Sequence, residues 1–293
     1  MIFALNRVLC SLTSQISPQF NQFFAAICCN TGLVVTNNDS FFSSKFAAFA
    51  HRGGWLDPAD AGRENTLYAF AKAVAFGYEY LETDVHTTSD GVLIAFHDAV
   101  TDRVAGKSGQ IDQMSFAELR ELRIAGKDQI PTLDEVLAAF PSAKINIDIK
   151  APGAIEPLVD TLAAHNAWKR VCVASFSPER LHAFRRLAGR QVATAVSGLA
   201  VPWNSWIPLL PQLVNSVGQA IQVPISQKVG PVELPVVTKR LIDNAHASGK
   251  YVHVWTINDA EQMRELIELG VDGLVSDDIG LLQEVLAEYD LWE

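Results

Sequence analysis

ETDVHTTSDGVLIAFHD, residues 82–98, sets Glu82, Asp84, His97 and Asp98 around a central Asp90-Gly91 pair, with apolar residues between. Asp-Gly between two alternating apolar runs favours a two-residue hairpin turn. Residues 92–97 should therefore return antiparallel beside 80–89. With that turn Ser89 faces Val92, and counting back sets His97 opposite Asp84. Glu82 and Asp84 share one face by the period of two, and opposed residues point to the same side of a sheet. Two carboxylates and an imidazole are expected to converge.

The hairpin decides the fold because the chain from residue 46 onward carries nine short runs with strand character. They are 46–50, 80–85, 92–97, 144–150, 170–176, 191–196, 219–223, 251–256 and 272–276. Helical patterns such as TLYAFAKAVAFG, FAELRELR, TLDEVLAAF, ERLHAFRRLAG and DAEQMRELIELG lie between them. Parallel neighbours need a crossover of about a dozen residues or more, which 92–97 does not have. Setting that run aside as an antiparallel hairpin strand leaves eight βα-type strands, the count of a (β/α)8 TIM-type barrel. A doubly wound open sheet is the alternative, but no Gly-rich dinucleotide fingerprint follows an early strand.

The 293 residues are 49% hydrophobic and 19% charged, as a folded globular chain requires. A net charge of -10 argues against general nucleic-acid binding, which depends on clustered Lys and Arg. Cys10, Cys28, Cys29 and Cys172 show no disulfide or zinc spacing, so a reduced, cytoplasmic setting is expected. No apolar run reaches the ~18 residues of a membrane span. Residues 1–45 are rich in Ser, Asn, Gln and Phe and read as a poorly specified N-terminal extension, with the barrel occupying 46–293.

Two further stretches end strands on the side where barrels place their active sites. AHRGG (50–54) brings His51 and Arg52, and Gly53-Gly54 allows a sharp turn or a close backbone approach to a ligand. NIDIK (146–150) alternates Asp148 and Lys150 with isoleucines. Taken singly, each has an ordinary explanation: a capping histidine with a surface arginine, and a structural ion pair. Buried charge on a strand's inner face nevertheless needs a partner or a metal. Taken together, Glu82, Asp84 and Asp148 supply hard oxygen ligands suited to Mg²⁺ or Ca²⁺. His51 and His97 supply an acid and a base, while Arg52 and Lys150 supply phosphate contacts. That inventory suits phosphodiester cleavage.

In this order AHRGG, ENTLYAF (64–70), ETDVHTTSDGVLIAFHD, NIDIK, VHVWTIND (252–259) and GVDGLVSDD (270–278) resemble the glycerophosphodiester phosphodiesterases, over roughly residues 46–285. The resemblance implies a (β/α)8 barrel, one divalent cation, and hydrolysis of glycerophosphodiesters to glycerol 3-phosphate and an alcohol. Position by position it implies His51 and His97 as the acid–base pair and Glu82 and Asp84 as metal ligands. Asp148 stands where the family has Glu, which shortens that ligand by one methylene. Arg52 and Lys150 match phosphate-contacting positions. Glu64 and Asn65 match a Glu-Asn-Thr motif that orients Arg52 or the cation, and Trp255 matches an aromatic wall.

Other residues have plainer readings. His86 is expected on the opposite face of the hairpin from Asp84, and His165, His182 and His246 on outer helices. His253 shares the face of Trp255. Asp98 either orients His97 or ends its strand. The apolar LAVPWNSWIPLLPQLVNSVG (199–218) could read an acyl chain, and the short 99–130 stretch implies an open pocket. Two alternatives to the diesterase remain: a lysophospholipase D using the same site, and a catalytically silent barrel that binds phosphodiesters.

Overall fold

A computed structural model describes residues 40–196, 217–229 and 232–292. In chain order the strands are β1 (Ala47–Trp55), β2 (Tyr80–Thr87), β3 (Leu93–Ala95), β4 (Lys144–Ile149), β5 (Val171–Ala174), β6 (Ala193–Thr194), β7 (Ala220–Pro224), β8 (Ser226–Val229), β9 (Val232–Pro235), β10 (Tyr251–Trp255) and β11 (Gly273–Asp278). The helices are α1 (Leu67–Ala75), α2 (Asp102–Ala105), α3 (Phe116–Arg120), α4 (Leu133–Ala139), α5 (Ile155–Ala164), α6 (Pro178–Ala188), α7 (Lys239–Ala247), α8 (Ala260–Leu269) and α9 (Ile279–Glu288).

Eight parallel strands follow the order β6-β5-β4-β2-β1-β11-β10-β7, and a parallel bridge between Ala195 and Ala220 joins the two ends. The result is the expected (β/α)8 barrel. Helix starts follow side-chain chemistry: Thr66 caps α1, Thr132 forms a capping box with Glu135 at α4, and Ser177 caps α6 ahead of Pro178. Leucines, isoleucines and valines from helices and strands fill the layer between barrel and outer ring. A separate small core holds Ile94, Phe96, Ile111, Leu119 and Ile130, and so anchors the 99–130 segment against β3.

The barrel's N-terminal end is closed by aromatic rings. Phe41 and Phe42 are buried against Phe49, Tyr80 and Tyr251, and Tyr80 donates its hydroxyl hydrogen to the Phe41 carbonyl at 2.7 Å. Phe41 and Phe42 precede the first strand and pack with the barrel floor.

The hairpin forms, but one residue out of the expected register. Val85 pairs with Ala95, His86 with Ile94 and Thr87 with Leu93. Thr88, not Ser89, faces Val92, and Ser89–Asp90–Gly91 makes a three-residue loop with Gly91 at φ +83°. Side-chain bonds explain the longer loop. The Thr88 hydroxyl donates to Asp90 at 2.5 Å and accepts from the Val92 amide at 2.9 Å, while Asp90 also accepts from the Phe116 amide. A second hairpin, β8–β9, was not anticipated from the sequence. Most of the apolar 199–218 stretch lies outside the described residues. Among those described, no helix is long and apolar enough to cross a membrane.

Candidate active site

The C-terminal ends of the strands surround a cavity of about 740 Å³, a usual size for a small-molecule site. His51, Arg52, Glu82, Asp84, His97, Asp148, Lys150 and Trp255 all line it. Glu64 and Asn65 stand just behind.

Register places the acids. β2 and β4 run parallel with Glu82 beside Asn146 and Asp84 beside Asp148, so two carboxylates stand shoulder to shoulder. Lys150 follows two residues beyond Asp148, and its ammonium lies 2.8 Å from Asp84 and 2.7 Å from Asp148. Burial works against charge on Asp84, yet Lys150 and Arg52 hold its carboxyl below the usual range. Burial keeps the Asp148 carboxyl above that range, Lys150 offsetting only part of the penalty. The Glu82 carboxyl is pushed up to about 7 by burial and by the Asp84 charge.

A bulge in β1 raises His51 and Arg52 out of the strand: its register with β11 breaks between Ala50 and Trp55. Arg52 takes φ +52° and Asn65 φ +56°, left-handed conformations that strain a residue with a Cβ by about 1–2 kcal/mol. The Asn65 amide donates to the Arg52 carbonyl at 2.8 Å, tying the two strained residues together. Gly53 serves helix packing rather than a ligand, because a Cβ there would lie 2.7 Å from that of Ala69 on α1.

Arg52 donates to Glu64 at 3.0 Å, and its Nε lies 3.1 Å from Asp84 without hydrogen-bond geometry. Asn65 donates to Asp84 at 3.1 Å and accepts from Thr83 at 2.7 Å. Glu64 and Asn65 thus position Arg52 and Asp84 from behind.

Each histidine carries a carboxylate on Nδ1. His51 lies 2.6 Å from Asp277, and His97 lies 2.6 Å from Asp98. With Nδ1–H donating to the acid, Nε2 of each ring is left to face the cavity. Burial opposes charge on His51, but its bond to Asp277 and the nearby Glu82 raise it above the ordinary imidazole value.

Five findings depart from the sequence expectations or add to them. The shifted register puts Phe96 opposite Asp84, its amide donating to the Asp84 carbonyl at 2.9 Å. His97 reaches the cavity because the chain leaves the strand after Ala95. His86 lies on the same side as Asp84, as residues two apart must. It is nearly buried, with Nε2 3.0 Å from the His97 carbonyl. His253 shares Trp255's face but sits one layer lower among Phe42 and Phe49, fully buried, outside the cavity lining. Asp277 was missed as a partner of His51, although it stands at a strand's C-terminal end in the quoted GVDGLVSDD. Phe176 was missed too; it is 63% exposed and meets Trp255 edge to face at 5.5 Å.

The donor chemistry suits a hard divalent cation. Glu82, Asp84 and Asp148 offer carboxylate oxygens, and the buried Asp148 Oδ1 has no hydrogen-bond partner. The three acids do not close on one point, however, since the Lys150 ammonium bridges two of them. Among the described residues no trio of His, Cys, Asp or Glu is gathered closely enough to hold an ion.

The sequence profile of the Glycerophosphoryl diester phosphodiesterase family matches residues 51–281. A Mycobacterium tuberculosis protein named "Probable glycerophosphodiester phosphodiesterase 2" is 34% identical over 78% of this chain and 87% of its own. The human lysophospholipase D GDPD1 is 26% identical over 78% of this chain and 82% of its own. The structure of an Oleispira antarctica phosphodiesterase in complex with the product sn-glycerol-3-phosphate superposes with a TM-score of 0.67. It is 23% identical and covers 82% of this chain and 96% of that one, a likeness of fold. With the profile spanning nearly the whole barrel, the chain belongs to the glycerophosphoryl diester phosphodiesterase family.

Proposed function

We propose that this protein hydrolyses glycerophosphodiesters to glycerol 3-phosphate and an alcohol. The observation that carries the reading is the pairing of two imidazoles, each on a short carboxylate bond, in one cavity with Arg52 and Lys150. Arg52 and Lys150 bind the phosphoryl oxygens, Arg as a planar fork and Lys as a point charge. One Nε2 takes the proton of the nucleophile, either water or the neighbouring glycerol hydroxyl, and the other protonates the departing alkoxide. Asp277 and Asp98 keep the rings in the tautomer that leaves Nε2 available. Glu82, Asp84 and Asp148 would hold a divalent cation, Mg²⁺ or Ca²⁺, which neutralises charge on the phosphoryl oxygens when bound.

A second reading draws on the cavity's apolar half. Phe176, Val196, Val223, Leu234, Val236 and Trp255 line the wall facing the charged groups, a surface suited to an acyl chain. That wall favours lysophospholipids as substrates beside the short diesters, the activity for which the human relative is named.

Release of glycerol 3-phosphate from glycerophosphocholine, and of choline from lysophosphatidylcholine, tests both. Turnover with Mg²⁺ or Ca²⁺ and its loss in chelator is the expected result, and the ratio of the two rates ranks the substrates. A protein that binds the metal yet turns over neither would be a silent binding barrel.

A further inference from the structure

We propose that Arg103, supplied by the 99–130 segment outside the barrel, is a positioning residue that locks His97 and Arg52 to one another. The inference rests on the diesterase reading and assigns that segment a part in the reaction. Arg103 lies on the four-residue helix α2 and touches two acids at once. Its Nη1 and Nη2 donate to the two oxygens of Glu64, both at 2.7 Å, and its Nε donates to Asp98 at 2.6 Å. Asp98 uses its other oxygen on His97 Nδ1, and Glu64 accepts from Arg52 through the oxygen that Arg103 Nη2 also contacts. An unbroken path therefore runs from the His97 ring through Asp98, Arg103 and Glu64 to the Arg52 guanidinium.

An exposed ion pair by itself is worth little, and the Arg103 side chain is 48% exposed. What sets this one apart is geometry. The fork spans two carboxylates that face different working groups, and it fixes the distance between them. A planar guanidinium can do that with three bonds in set directions, whereas a lysine ammonium cannot make the same pattern. The small core of Ile94, Phe96, Ile111 and Leu119 holds the segment in place independently of Arg103. Removal of the side chain should therefore leave the segment folded and the two working groups loose.

The expected effect is asymmetric. Loss of the Asp98 contact frees His97 and should lower kcat, while loss of the Glu64 contact frees Arg52 and should raise KM. For groups that orient a reacting side chain, the loss is about 10- to 100-fold. Arg103→Met and Arg103→Lys are compared with wild type on glycerophosphocholine, with thermal melting to confirm folding. Both variants should lose kcat to that extent, Lys recovering little although it keeps the charge. Added guanidinium should restore part of the loss in Arg103→Met. In the Asp98→Asn background the same Arg103→Met change should cost no more than about 2-fold further in kcat, because both act through one ring.

A readout independent of turnover separates this proposal from the reaction itself. His51 and His97 should each give a far-downfield ring N–H proton signal from the 2.6 Å Nδ1–carboxylate bonds. Loss in His97→Gln assigns the His97 signal. In Arg103→Met that signal should shift or broaden while the His51 signal stays. If the wild type turns over no diester but the His97 signal responds, the positioning role stands and the proposed reaction falls. If the wild type is active and Arg103→Met stays within about 2-fold of it with both signals unchanged, the positioning role falls. Fully additive losses with Asp98→Asn would also overturn it.

Discussion

At the N-terminal end of the barrel, Phe41, Phe42, Phe49, Tyr80 and Tyr251 pack ring against ring around a neutral His253. At the C-terminal end of the same strands, Glu82, Asp84 and Asp148 meet Arg52 and Lys150, with two backbone residues in left-handed conformations. Two residues along β10 cover the whole transition, from His253 on the floor to Trp255 on the cavity wall. The floor gains stability from apolar burial and needs no ligand. The rim gathers charges offset by one another, by hydrogen bonds such as that from Asn65 to Asp84, and by an ion when bound. A change at the floor should therefore move stability and leave chemistry, and a change at the rim should do the reverse.

The largest effect is expected from Phe41→Ala. The ring is 1% exposed and packs on Phe42 and Tyr80 at 5.0 and 5.4 Å. Its loss should destabilise by about 3–5 kcal/mol in urea unfolding, with kcat of the folded fraction unchanged. A comparable loss of kcat would break the division between the two ends.

The second prediction uses pH. Burial pushes His253 down to about 3. The folded state keeps it neutral while the unfolded chain takes up a proton below the ordinary value of about 6.5. Its contribution is therefore fully present above that value and is lost as pH falls toward 3, at about 1.4 kcal/mol per pH unit. The acid limb of a stability–pH curve should be shallower by one proton in His253→Phe. An identical slope would show that the ring is already charged or solvated.

Smaller effects are expected at the rim. Asp277→Asn should leave the melting point in place and lower kcat about 10- to 100-fold, because the amide no longer holds the tautomer. Smaller still, Trp255→Ala should change the ratio of lysophosphatidylcholine to glycerophosphocholine turnover by about 5- to 30-fold, the worth of about 1–2 kcal/mol of apolar contact. An unchanged ratio would place the acyl chain elsewhere.

How much of this was legible in the sequence follows from the range of the interactions. The alternation of strand and helix patterns is local, and it leads to the barrel. Glu82, Asp84, Asp148 and Lys150 are placed by the period of two along their own strands, so their facing one cavity could be read in advance. The hairpin register could not, because Thr88 and Asp90 add a residue to the loop through side-chain bonds that Asp-Gly alone does not announce. His86 needed only the same period of two to be placed beside Asp84. Asp277 pairs with His51 across 226 residues, a contact that exists only once β1 and β11 close the barrel. Its position at the end of the last strand was the available signal. The β8–β9 hairpin was missed because its strands, SQKV and VELP, are too short and polar to stand out.

The proposed reaction assigns both proton transfers to the rim's two imidazoles. It is tested most directly by kcat for glycerophosphocholine in His51→Ala and His97→Ala, each measured beside wild type with the divalent ion present. Each variant should lose about 10²- to 10⁴-fold, with unfolding midpoints close to wild type. Wild-type turnover in either variant would contradict it.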